Sequence, residues 1–94
     1  MENLVVGQMV ILNRAMMDEK VGSVGYVVDT YEDFDIEGRM GAMIIFQEGS
    51  YDGFSAKEQD LYLQVKRVDQ RYSSYVFHNV LQLSRDYDNG YWEF

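Results

Sequence analysis

GQMVILNRAMMDEKVGSVGYVVD, residues Gly7 to Asp29, holds two apolar runs of strand length on either side of a polar bend. Met9-Val10-Ile11-Leu12 is too short for a helix. Bounded by Gly7 and by Asn13-Arg14, it reads as a strand buried on both faces. Val24-Gly25-Tyr26-Val27-Val28, rich in β-branched and aromatic residues and ended by Asp29, reads as the second strand. Gly22 and Gly25 have no Cβ, so each can take a positive φ or let a neighbouring strand pass close, and a bend is expected near Gly25. The two runs predict the opening hairpin of a small β-barrel.

The residues that carry this hairpin, Gly7-x-x-Val10 and then Lys20-x-Gly22-x-x-Gly25-x-Val27, resemble the first hairpin of KOW and broader SH3-like small barrels. The resemblance implies short antiparallel strands and a surface that binds nucleic acid or another protein. The expected fold is thus mainly β, an SH3-like small antiparallel barrel with one short helical insertion, with residues 1–94 forming a single domain.

Outward from the hairpin, Gly41 to Gln47 (GAMIIFQ) is the most strand-like segment and is expected at the centre of the sheet. Acidic or glycine-bearing loops bracket it: Thr30 to Gly38 (TYEDFDIEG) before, and Glu48 to Ser55 (EGSYDGFS) after. Ser55-Ala56-Lys57-Glu58 fits a capping box, which predicts a helical turn from Ala56 to Asp60 or Tyr62. Leu61, Leu63 and Val65 alternate with polar residues, which predicts a half-buried strand running to Val68. Tyr75 to His78 reads as a strand followed by a helical turn, although Val76, Phe77, Val80, Leu81 and Leu83 also fit helical spacing with Ser73 or Ser74 as cap. Asn89-Gly90 suits a type I′ turn, so Ser84 to Asp88 and Tyr91 to Phe94 are expected to form a terminal hairpin.

Charge narrows the functional classes. The net charge is −8, and it is concentrated: Asp29 to Asp60 carries nine acids against Arg39 and Lys57, while the rest of the chain holds seven acids and six bases. Such a middle repels phosphate backbones, which disfavours direct nucleic-acid binding and favours a partner with a basic surface. The chain has no cysteine, which excludes disulfides and thiolate chemistry. A beginning without a basic segment and apolar run, and the lack of a membrane-length apolar stretch, predict a cytosolic protein with no membrane partner.

Catalytic and metal-binding patterns are weak. Asp33-Phe34-Asp35-Ile36-Glu37-Gly38 copies the first half of a calcium loop, but the twelfth place, where a bidentate glutamate belongs, is Ile44. His78 is the sole histidine and no serine or cysteine motif asks for it as a base. Gly49-Ser50-Tyr51-Asp52-Gly53 misplaces the serine of a nucleophile elbow. No enzyme, cofactor or metal is expected.

The informative cluster is Tyr31, Phe34, Tyr51 and Phe54, set beside Glu32, Asp33, Asp35 and Asp52 in the two loops. Aromatics next to acids grip Arg- or Lys-bearing partners by packing, ion pairing and cation–π contact. Phe34 and Phe54 fit equally well as plugs of the core beneath the loops. Tyr87, Tyr91 and Trp92 either extend this face or close the barrel. The function expected is a non-catalytic small acidic interaction module binding a basic segment of a protein partner. A second class is a phage or mobile-element inhibitor that mimics nucleic acid and blocks a nucleic-acid-binding protein.

Overall fold

Met9–Leu12 (β1) and Val24–Tyr31 (β2) form the expected hairpin, pairing Met9 with Tyr26, Val10 with Gly25 and Ile11 with Val24. The computed structural model describes residues 3–16, 19–33, 35–64 and 75–91. Each paired glycine has one of the two anticipated uses. Gly22 takes φ +90° in the turn that leads into β2, a conformation that costs glycine little. Gly25 marks a close approach instead: a Cβ there would lie 2.5 Å from Ile44 Cγ2 and 3.0 Å from Phe46 Cε1 on the next strand.

The irregularity in β2 falls beyond Gly25. The register shifts between Val27, opposite Ile44, and Asp29, opposite Met43. The extra residue reverses which side chains of β2 face inward. Val27 stays in the core, whereas Asp29 and Tyr31 join Met43 and Gly41 on the outer face.

The chain continues through Gly41–Phe46 (β3), Tyr51–Phe54 (β4), Ala56–Tyr62 (α1), Leu63–Gln64 (β5) and Val80–Asp88 (α2). The strands form one antiparallel sheet in the order β4-β3-β2-β1-β5. Among the described residues the sheet is open, with β4 and β5 as its two edges. β4 lies inside the segment expected to be a loop. Asp52 and Gly53 are poor strand formers, and cross-strand pairing of Tyr51 with Ile45 and Phe54 with Ala42 overrides them. Likewise Thr30 and Tyr31 belong to β2 and not to the acidic loop, held by pairing with Ala42 and Gly41.

Both faces of β1 are buried, which is why its apolar run does not alternate. Val10 and Leu12 pack with Leu4, Val27, Ala42, Ile44, Phe46, Phe54 and Leu63 in the main core. Met9 pairs instead with Val24 and Leu83, with Ile11, Tyr26, Tyr75 and Phe77 packed around them. The Phe77 ring stacks on Tyr26 at a centroid distance of 4.5 Å. The C-terminal segment therefore covers the β1–β2 half of the outer face, and α2 also comes against β3.

α1 begins as the capping box predicts: Glu58 N–H donates to Ser55 Oγ at 3.3 Å, and Ser55 N–H donates to Glu58 Oε1 at 3.1 Å. Gln59, fully buried, ties the helix to the sheet by donating to the carbonyl oxygens of Met40 at 2.8 Å and Phe54 at 3.0 Å. Of the alternating strand expected from Leu61 to Val68, Leu63–Gln64 is strand, Leu61 and Tyr62 belong instead to the last turn of α1, and residues 65–68 lie outside the described residues.

The C-terminal expectation needs correction. Tyr75 to Asn79 has no regular structure, and Ser84 to Asp88 is helix, not a hairpin strand. The cap is Asn79, whose side chain accepts the Gln82 N–H at 2.9 Å; Ser73 and Ser74 lie outside the described residues. Asn89-Gly90 ends the helix: Gly90, at φ +77°, donates to Tyr87 O, and Tyr91 donates to Asp86 O. That pair of bonds is a Schellman motif, which requires the same left-handed glycine that a hairpin turn would use.

Candidate functional site

Residues directly opposite in an antiparallel ladder share a face. On the outer face β3 therefore presents Gly41, Met43 and Ile45, with Tyr31 and Asp29 beside them on β2 and Gly53 and Tyr51 on β4. Tyr31 and Tyr51 stand four positions apart along β3, about 13 Å at the usual rise of a strand. Tyr51 is 55% exposed.

The Tyr31 ring lies flat across its neighbours because they are glycines. A Cβ on Gly41 would come within 2.3 Å of the ring, and one on Gly53 within 3.0 Å of its hydroxyl. No larger side chain at Gly41 leaves the ring in place. Two adjacent strands thus form a floor for one aromatic side chain, leaving a strip of Tyr31, Met43, Ile45 and Tyr51 outside the main core.

Acids gather at the Tyr31 end. Burial first, and then the charges of Asp33, Glu58 and Asp35, push the Tyr31 hydroxyl above its ordinary pKa of 10.0. Glu32 and Asp33 are exposed. Asp35 is also exposed, yet it is tied to the helix start: Lys57 N–H points at both of its carboxylate oxygens at 3.4 Å. A hydrogen bond from the Ser55 side chain and that amide hold the Asp35 carboxyl below its ordinary pKa of 3.8. Asp35 thus docks the acidic loop on α1, and its charge is already partly engaged. Asn3 fixes the far end of the same loop, accepting from Met40 N–H at 2.8 Å and donating to Gly38 O at 3.2 Å.

The remaining candidates separate. Phe54 is fully buried and meets Phe46 edge-on at 6.0 Å, so of its two readings the core plug is the one observed. Asp52 is half-buried opposite Ile44, on the core side of β4 and not beside Tyr51. Phe34 and Trp92 lie outside the described residues. Tyr87 and Tyr91 belong to α2 and its cap, where the Tyr91 ring packs on Tyr75 at 5.5 Å.

Sequence reasoning missed Glu58, Asp29, Met43 and Ile45. In the sequence Glu58 reads only as a capping residue and Asp29 as a strand terminator. Only the shifted register places Asp29 on the outer face.

Among the described residues no group of three or more His, Asp or Glu side chains is placed to hold a metal ion, and no helix is long and apolar enough to cross a membrane. Ile44, in the twelfth place of the calcium-like segment, is fully buried in β3. Comparison of the chain with protein-family models, with curated proteins and with solved structures finds no match.

Proposed function

We propose that the protein is a small acidic interaction module of the cytosol, without catalytic activity, that binds a basic segment of a protein partner across the β3–β4 half of its sheet. The observation that carries this reading is the strip from Tyr31 to Tyr51 left outside the core, with Asp33, Asp35 and Glu58 gathered at its Tyr31 end. Apolar and aromatic surface supplies contact area, and acids beside it favour lysine and arginine over other side chains. The same acids repel nucleic-acid phosphates.

The fold that fits this reading is a partly open SH3-like barrel. In its support, four strands follow one another as a meander, β5 returns to the far side of β1, and α1 fills the corner between β4 and β5. The bulge in β2 supplies the bend such a barrel needs.

Fluorescence anisotropy with a labelled peptide alternating lysine and valine tests the reading. Saturable binding that weakens with salt is expected, with none for the matched glutamate–valine peptide or for duplex DNA. Equal binding of the two peptides, or binding of neither, would overturn it.

A further inference from the structure

The edge strand β4 specifies how a basic segment would be held. Phe46 N–H donates to Ser50 O at 2.8 Å, and the register then runs without a break from Ile45–Tyr51 to Ala42–Phe54. Hydrogen-bonded and non-hydrogen-bonded pairs alternate along an antiparallel ladder. Asp52 and Phe54 therefore spend their backbone groups on β3, while the N–H and C=O of Tyr51 and Gly53 point away from the sheet. Both residues are exposed, and among the described residues no strand pairs with β4 on that side.

Edge strands are usually protected by being short, by lysine or an inward-pointing charge, by proline, by a bulge or by a cover. Two of these apply to β4, its four-residue length and the core-side Asp52, a charge that repels an acidic edge and not a basic one. β4 has no lysine, proline or bulge, and Gly53 leaves the edge without a side chain at one of its two open positions. Its only charge is Asp52. Glu48 stands in the turn before it, and at its other end the Lys57 N–H points at Asp35, with Glu58 in the same turn of α1.

We propose that β4 receives an extended, lysine- or arginine-bearing segment of a partner protein as an added antiparallel or parallel strand, bonded to the backbone of Tyr51 and Gly53. This rests on the basic-partner reading above and names its mode. In an added strand, side chains alternate between the two faces. One set lies beside Asp52, where a cation is favoured, and the other lies beside Tyr51 and the edge of the Tyr31 ring. A second copy of this chain is disfavoured as the occupant. Pairing two β4 edges would bring together two copies of Asp52 and two molecules of net charge −8.

The test uses the lysine–valine peptide with alternate backbone amides N-methylated, which removes donors without changing side chains or charge. Methylation of one alternate set is expected to weaken binding at least tenfold, and methylation of the other set to leave it within twofold. Hydrogen exchange of the Tyr51 and Gly53 amides should slow in the complex, while that of Asp52 and Phe54, already bonded to β3, should change little. Binding that tolerates both methylations with Tyr51 and Gly53 unprotected would overturn strand addition and leave the basic-partner reading standing. Failure of the unmethylated peptide to bind would remove both. Protection of Tyr51 and Gly53 without peptide, together with self-association in sedimentation, would overturn the proposal in favour of a second copy.

Discussion

Asp35 shows how a single residue can be assigned to the wrong task by its company. In the sequence it is one of several acids around aromatics, whereas in the fold its carboxylate takes the Ser55 side chain and the Lys57 amide. Those bonds favour the ionised form, so its folded pKa lies below the ordinary 3.8. The stabilisation is present above the unfolded value and is lost as pH falls through the folded one. Asp35→Asn is therefore expected to lower the melting temperature at neutral pH. The gap to the parent should close as pH drops through the carboxylate range, where Asp35 becomes the neutral near-isostere of asparagine. Thermal melts across that range check it, and a gap that persists in acid would show that charge is not what Asp35 supplies. Tyr31 carries the complementary lesson: its aromaticity was readable, but its placement depends on Gly41 and Gly53, residues that look like loop punctuation until the register pairs them with Tyr31 and Met43.

At the scale of elements, legibility followed how local the determinants are. β1, β3 and the first five residues of β2 are written in uninterrupted apolar runs, and the start of α1 in a reciprocal side-chain motif within four residues. β4 and α2 were lost for opposite reasons. In YDGF the poor strand formers Asp52 and Gly53 sit between two good ones, and the strand forms because β3 lies beside it. In α2 the apolar spacing is visible, but Asn89-Gly90 suits a hairpin turn equally well, and only the bonds from Gly90 and Tyr91 back to Tyr87 and Asp86 distinguish a helix end. The helix matters because Leu83, fully buried, closes the second cluster against Met9 and Val24. Leu83→Ala is expected to cost about 2–5 kcal/mol, as for other large-to-small core changes. Urea unfolding measures it. A loss below about 0.5 kcal/mol, the scale of surface substitutions, would mean that α2 is not packed on the sheet in solution.

Across the whole molecule the distribution of charge, and not its total, connects the fold to the proposed function. Six of the nine acids between Asp29 and Asp60 divide into engaged and free. Asp60 is paired with Arg39 at 3.0 Å, Glu58 closes the capping box, Asp35 docks the loop, and Glu48 accepts from Ser23 and Gln47. Glu32 and Asp33 are exposed beside the Tyr31 end of the strip, where they can act on an approaching cation without supporting the fold. Exposed charges of this kind speed encounter and are screened within a Debye length of about 8 Å at physiological salt. They contribute little to stability. Glu32→Gln with Asp33→Asn is therefore expected to slow association with the lysine–valine peptide several-fold at low salt and to flatten its salt dependence. The dissociation rate and the melting temperature should stay near those of the parent. Tyr51→Ala should do the reverse, leaving association almost unchanged and speeding dissociation, because aromatic contact area acts after encounter and truncating a hot spot costs about 1–3 kcal/mol. Stopped-flow kinetics over a salt series separates the two variants. If the double variant associates as fast as the parent at every salt concentration, the acidic end of the strip does not steer the partner. If Tyr51→Ala also dissociates at the parent rate, the binding surface lies away from the β3–β4 half of the sheet.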